Sequence, residues 1–540
     1  MMTSIILVAF NKLAFTQECI ESIRAYTEPG SYEIIVVDNA STDETADWLQ
    51  QQHDLTVILN ENNEGFPKGC NQGIAAAQGE LIMLLNNDTV VTCNWLDNLK
   101  KCLFSKNQIG AVGPITNNAS YYTAIHAPYQ TKEGIQQFAQ KHNVSNPAKW
   151  EERLKLIGFC LLIKREAVEE IGLLDERFGI GNFEDDDYSL RMRKAGYRLM
   201  LCRDTFIHHY GSASFNSDTD RYRHVLQENE RKFIEKWGFS PILDTMIRYE
   251  LVSLMDEKGD EAEDLFRVLD ISCGCGGTLL QIKNKFPNAE LYGIESNTHA
   301  GSVASMIAND IGNCADDPSQ WTYSKQSFNW ILMETAISSN SSIDYLCALS
   351  SLLKDEGVMI AFFENIGNLS VEQLDQFLKE AGFEKADLYP INGTDHEKHS
   401  TQHFLLKAFK RIVWEKELSI ICSELADGIN KEMQLLRVAA LLSGSLVTYN
   451  HIIQTPIPNP LTKAALLAEI AEFLYYRRVN DPVIPLLEAA YALNPKYDEL
   501  LYNLGFMLMK ANKHAEALRY FEEIDDKDEE VIGFINKLKR

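Results

Sequence analysis

Four short apolar runs open the chain, each separated from the next by a helix-length amphipathic segment. Residues 5–10, 33–38, 55–59 and 81–85 read as strands, and residues 15–26, 43–53 and 70–78 read as the helices between them. Strict strand–helix alternation predicts an α/β architecture with a parallel, doubly wound sheet. Ligands of such sheets bind beyond the carboxyl ends of the strands, so the residues just after each apolar run carry the most information.

The rest of the 540 residues divides by pattern. A chain this long exceeds one hydrophobic core and predicts about three or four domains. Residues 221–261 are charged and helical, like a connector. A second strand–turn–helix begins at Val268: strand 268–271, a Gly-rich turn, helix 279–285 and strand 290–294, with a last strand at 403–406. From Ile412 the pattern is helical, broken at Gln454-Thr-Pro-Ile-Pro-Asn-Pro460. Beyond that break a weak repeat of ~34 residues pairs Ala471 with Gly505, Val483 with Ala517, Leu487 with Phe521 and Ala490 with Ile524. Two ordinary helical hairpins would give a similar pattern. The predicted division is 1–240, a connector 241–261, a second α/β domain 262–411, and an all-α region 412–540.

Charge narrows the partners. Lys and Arg number 51 and Asp and Glu 77, a formal net charge of −26. That balance argues against nucleic acid and anionic membranes. No run approaches the ~20 apolar residues that span a bilayer. The apolar start, Ser4-Ile-Ile-Leu-Val-Ala-Phe10, has no basic leader and reads as a buried strand rather than a signal peptide. Eleven scattered Cys suggest free thiols and a cytoplasmic setting.

Three carboxylate sites follow apolar runs. In Val36-Val-Asp38-Asn39-Ala-Ser41, Asp38 can accept from an imide or a ribose hydroxyl, or cap the next helix. In Leu84-Leu-Asn86-Asn87-Asp88, an acid after a buried strand can hold a divalent cation against a diphosphate, although Asn and Asp also favour turns. In Phe183-Glu184-Asp185-Asp186-Asp187-Tyr-Ser-Leu-Arg191, four adjacent acids repel unless paired or metal-bound. Arg191, one helical turn on, can neutralise Asp187, and a helix N-terminus favours acids in any case. The segment Phe206-Ile-His208-His209-Tyr-Gly211-Ser212 adds two histidines beside a Gly turn, suited to metal ligation or to structure.

Taken in order, these motifs resemble glycosyltransferase family 2, whose nucleotide-sugar fold is called GT-A. The matching pieces are Val8-Ala-Phe-Asn11, Val37-Asp-Asn-Ala-Ser-Thr-Asp43, Asn63-Glu-Gly-Phe-Pro-Lys-Gly-Cys-Asn71, Leu85-Asn-Asn-Asp88, Gly158-Phe-Cys160, the Glu184-Asp185 segment and His209-Tyr-Gly-Ser212. The resemblance implies that Ala9, Phe10, Asn11, Asp38 and Asn39 line the nucleotide site. Gly69 and Asn71 would flank it, with Asn87 among the donor contacts. It makes Asp88 the acid that ends the family's Asp-x-Asp metal motif, with Asn86 departing from the first position. It also makes His209 a further metal or diphosphate contact and Asp185 the general base. The implied reaction is an inverting sugar transfer from a nucleotide-sugar donor, with Mg²⁺ or Mn²⁺ as cofactor.

Val268-Leu-Asp-Ile-Ser-Cys-Gly274-Cys-Gly276-Gly resembles the Rossmann-like class I methyltransferases, with Asp270, Gly274, Gly276 and Glu295 as the implied cofactor site. Ser272 replaces the first motif Gly and Asn329 an expected Asp, so a degenerate domain is expected and S-adenosylmethionine is not favoured. The C-terminal helices are similar to tetratricopeptide repeats, which bind peptides on a concave face. They imply a protein acceptor, such as a bacterial surface or flagellar protein, with self-association as the other use of such helices. The alternatives are a glycan or lipid-linked acceptor, and a bifunctional glycosyltransferase/methyltransferase.

Overall fold

The computed structural model describes residues 1–211, 219–255, 266–314, 317–338, 343–365, 371–390, 402–410, 414–443 and 447–539. Ser212 and the predicted boundaries at 261 and 411 lie outside the described residues. The chain forms two compact units, Met1–Lys410 and Arg411–Arg540. Among the described residues no helix is long and apolar enough to cross a membrane.

Among the described residues the first unit contains two large sheets and a two-stranded ribbon of Thr89–Val90 with His208–His209. The strands of the first half are β1 (Thr3–Ala9), β2 (Tyr32–Asp38), β3 (Leu55–Leu59), β4 (Leu81–Asn86), β5 (Thr89–Val90), β6 (Ile109–Ile115), β7 (Trp150–Arg153), β8 (Cys160–Lys164), β9 (Arg198–Phe206) and β10 (His208–His209). Eight of them form one sheet in the order β3-β2-β1-β4-β8-β6-β9-β7. Successive side chains alternate between two cores, as the strand repeat requires. Ile5, Leu7, Ala9, Ile34 and Val36 enter one core, and Ile6 and Ile35 enter the other. Burial on both faces explains why these strands read as continuous apolar runs.

The sheet is not parallel throughout, which corrects the expectation from the alternation. β1 to β4 run parallel, whereas β8 is antiparallel to β4 and to β6, and β7 is antiparallel to β9. The chain enters β8 at the end where β4 finishes, with Cys160 opposite Leu85, and can only run back down the sheet.

The second sheet comprises β11 (Arg267–Ile271), β12 (Glu290–Ile294), β13 (Asp310–Gly312), β14 (Phe328–Ser338), β15 (Leu353–Asn365), β16 (Lys385–Pro390) and β17 (Gln402–Phe409), in the order β13-β12-β11-β14-β15-β17-β16. The strands from β13 to β15 are parallel, and β17 is antiparallel to both neighbours. The order reverses beside β11, next to β14. The two sheets share one core: Phe233, Trp237 and Phe239 pack between Leu154 and Phe178 on one side and Leu280, Ala300 and Val303 on the other.

The second unit is helical. Its last part contains Pro460–Tyr476 paired with Val483–Leu493 and Asp498–Lys510 paired with His514–Glu523. Leu418 and Ile421 of the earlier helix Trp414–Ala426 share one core with Leu467, Leu487, Leu504 and Phe521. Seven residues of the sequence repeat pack into this core. At the eighth, a Cβ on Gly505 would stand 2.9 Å from the ring of Phe521. The small residue there lets two helices approach.

Candidate active site

A cavity of about 860 Å³ opens beyond the carboxyl ends of β1, β2 and β4. Phe10 and Asn39 line its β1–β2 side. The loops after these strands are cross-linked. Asn11 Oδ1 accepts from the Thr42 N–H at 2.6 Å, and the Asn11 N–H donates to Ser41 Oγ at 2.7 Å. Asn39 donates to Gly65 O at 3.0 Å, and its own N–H donates to Ala9 O at 2.8 Å. Asp38 is buried. Its Oδ2 accepts from the Ser41 N–H at 3.0 Å, while Oδ1 has no partner among the described residues. The turn role thus uses half of this carboxylate, and the other half is an acceptor lacking a donor. Gly69 and Asn71 stand behind this wall. Gly69 lies against Val8, and Asn71 uses its amide to hold the loop at Leu174 and Glu176. Asn87 lines the cavity and donates to Thr16 Oγ1 at 2.9 Å.

Asp88 and His209 meet at the end of β4. The short ribbon of β5 with β10 sets His209 opposite Thr89, and the Tyr210 N–H donates to Asp88 O at 3.0 Å. His209 Nε2 lies 3.2 Å from Asp88 Oδ1 and 3.4 Å from Asn86 Nδ2. Its Nδ1 lies 2.7 Å from Asn118 O, and its ring stacks on Phe159 at 5.2 Å. A carbonyl only accepts, so Nδ1 carries a proton and a neutral ring presents the Nε2 lone pair toward Asp88. Two electron-pair donors side by side, with a second partner fixing the imidazole, suit a divalent cation. Among the described residues no group of three or more His, Cys, Asp or Glu forms a metal cage. Two protein ligands match a cation shared with substrate phosphates. The adjacent His208 faces elsewhere, with Nδ1 2.7 Å from the Tyr129 hydroxyl, and burial pushes its pKa down to about 4.

The four acids of helix Glu184–Lys194 have four different surroundings. Asp187 is fully buried and structural, held by Arg191 at 2.9 Å, Lys236 at 2.5 Å and the Trp237 indole N–H at 2.9 Å. Asp186 pairs with Lys155. Glu184 is buried, and burial together with the Asp185 charge raises its pKa well above the usual range. Asp185 lines the cavity and accepts from the Gly158 N–H at 2.8 Å. A Cβ on Gly158 would stand 3.2 Å from Asp185 Cβ, so the glycine permits this approach. Burial, then the neighbouring Asp186 charge, pushes Asp185 up to about 7, against the Gly158 N–H and the Lys155 ammonium. A carboxylate tuned near neutrality on a cavity wall is suited to general-base work.

Residues 4–172 match the family model described as glycosyl transferase family 2. The N-terminal part of the chain is a glycosyltransferase domain. The match ends before Asp185 and His209. The chain is 28% identical over 220 residues to the O-antigen biosynthesis protein RfbC of Myxococcus xanthus, covering 37% of this chain and 16% of that protein. It is 28% identical over 211 residues to the glycosyltransferase GlyG of Streptococcus pneumoniae, covering 37% and 68%. Among solved structures, it is similar to the mannosyltransferase PcManGT from Pyrobaculum calidifontis in complex with GDP-Man and Mn²⁺. That similarity covers 43% of this chain and 64% of the other, at 21% identity and a TM-score of 0.33.

Several residues of the glycosyltransferase cavity escaped sequence reasoning. Lys155, Asn118, Tyr121 and the segment 241–246 carry no local signal, because their partners lie far away in the chain. Asp270, Gly274, Gly276 and Glu295, the implied cofactor site of the second sheet, do not line this cavity. Asp270 is fully buried, and burial with the Glu334 charge raises its pKa well above the usual range. Glu295 accepts from the N–H groups of Gly274 at 2.8 Å and Asn297 at 2.7 Å. Ser272 has a φ of 62°, a left-handed backbone where the resembled motif has glycine.

Proposed function

We propose that the N-terminal domain is an inverting glycosyltransferase that moves a sugar from a nucleotide-sugar donor to an acceptor hydroxyl. The observation that carries the reading is one cavity with Asp88 and His209 at the end of β4 and Asp185 on another wall. Asp88 and His209 would hold Mg²⁺ or Mn²⁺, which when bound neutralises charge on the departing diphosphate. Asp38 Oδ1 fits a donor N–H or hydroxyl of the nucleotide, and Phe10 offers it an apolar surface. Asp185 takes the proton of the acceptor hydroxyl as that oxygen attacks the anomeric carbon from the face opposite the leaving group. One displacement inverts the centre and needs no second carboxylate as nucleophile. The test is a nucleotide-release screen across nucleotide sugars with Mn²⁺ or Mg²⁺. Release that chelation abolishes is expected, and no release from any donor with either metal would overturn the reading.

The acceptor is read as a protein, such as a bacterial surface or flagellar protein, delivered by tetratricopeptide-like C-terminal hairpins. The scatter of free thiols supports a cytoplasmic setting. A glycan or lipid-linked acceptor is the second reading, favoured by the similarity to the O-antigen biosynthesis protein of Myxococcus xanthus. The test cut belongs at Lys410, since a cut at the Gln454–Pro460 break would split the core that the helices on either side share. Removing residues 411–540 should leave donor hydrolysis near wild type and lower transfer to a protein acceptor by about 10²-fold or more, through lost local concentration. Equal transfer by the truncated chain would favour the glycan or lipid-linked acceptor.

A further inference from the structure

Where the second sheet reverses its strand order, beyond the carboxyl ends of β11 and β14, doubly wound folds take their ligands. Here the chain itself fills the place. Asp244 O accepts from the Cys275 N–H at 2.6 Å, and the Arg248 N–H donates to Thr278 Oγ1 at 3.0 Å. A Cβ on Gly274 would stand 2.5 Å from Asp244 O. One on Gly277 would stand 2.7 Å from Met246 O and 2.9 Å from Thr245 O. The side chains missing from this turn therefore make room for three main-chain carbonyls of the segment.

The same segment also reaches the glycosyltransferase domain. The Tyr121 hydroxyl donates to Thr245 O at 3.0 Å. Lys155 Nζ donates to Pro241 O at 2.7 Å while paired with Asp186, and sits 4.7 Å over the Tyr121 ring. Ile242 and Met246 line the cavity together with Tyr121 and Asp185. Lys155 links this segment to Asp186, the neighbour of Asp185, where an acceptor would approach.

We propose that residues 241–246 form the acceptor-side wall of the transferase cavity, and that the glycine turn of the second sheet holds this wall in place of a small ligand. The word acceptor rests on the transferase reading above. The second sheet is then a positioning element for the first. Lys155 is the positioning residue that ties the wall to the acid pair Asp185–Asp186.

The test is amide hydrogen exchange on the full chain, comparing wild type with Gly277→Val and the milder Tyr121→Phe. Gly277→Val cannot coexist with the carbonyls of Thr245 and Met246. It should speed exchange at Cys275 by at least about fivefold, the loss of roughly one hydrogen bond. The same acceleration should reach residues 118–122 and 155–158 while β1 and β2 stay protected. Acceleration confined to 241–248 would overturn the proposal. Should Gly277→Val fail to fold, Tyr121→Phe decides: faster exchange across 241–246 is expected, and no change overturns it. Titration of wild type with S-adenosylmethionine should give no binding heat, and binding would overturn the claim that the segment occupies the turn. Absence of nucleotide release by wild type would sink the transferase reading, while the exchange pattern still decides whether the turn holds the wall.

Discussion

Asp185→Asn should lower turnover by about 10²–10⁴-fold while leaving nucleoside diphosphate affinity near wild type. Asparagine keeps an acceptor for the Gly158 N–H, so the local structure should survive and only the proposed base is lost. The pH profile gives a sharper test. Burial and the Asp186 charge raise Asp185 to about 7, so below that pH the base is mostly protonated and inactive. Wild-type kcat/KM should rise about tenfold per pH unit up to about 7 and then level off, and the variant should lack that limb. Lys155 holds the Asp185 pKa down. Lys155→Met should therefore move the limb to higher pH, lowering activity at neutrality and restoring it in alkali. An unchanged limb in Asp185→Asn would remove Asp185 from the mechanism.

The ease of reading these features from sequence follows the distance between partners. β1, β2 and β4 were legible because both faces are buried, so the apolar runs stand out and the polar residues after them mark the ligand side. The direction of β8 was not legible, since Cys160-Leu-Leu-Ile-Lys164 reads the same in either sense and only its entry point opposite Leu85 decides it. The acid cluster shows the same contrast. Arg191 as partner of Asp187 follows from helical spacing, whereas Lys155 as partner of Asp186 is 31 residues away. Glu184, Asp185 and Asp186 all line the cavity, and helical spacing alone does not say that Asp186 is taken by Lys155 while Asp185 meets the Gly158 N–H. Residues 241–246 read as part of a charged connector because they form no regular element. Beside bonds within their own turn, they reach a turn about 30 residues later and Tyr121 far upstream.

Asp88→Ala should abolish metal-dependent donor binding, weakening nucleoside diphosphate affinity by about 10²-fold or more in the presence of Mn²⁺. Asp88 and His209 both line the cavity at the end of β4, and Asp88 alone of them brings a full negative charge. His209→Ala should follow the same direction with a smaller loss, because the carboxylate remains. The ribbon of β5 with β10 rests on main-chain bonds, including Tyr210 N–H to Asp88 O, so it survives either change and the fold should hold. Asn86→Asp tests the corner from the other side. It places a second carboxylate near His209 Nε2, where Asn86 Nδ2 now lies at 3.4 Å, and should tighten metal-dependent binding. Calorimetry of nucleoside diphosphate with and without Mn²⁺ measures all three variants. Affinity in Asp88→Ala equal to wild type under both conditions would show that the diphosphate is held elsewhere in the cavity.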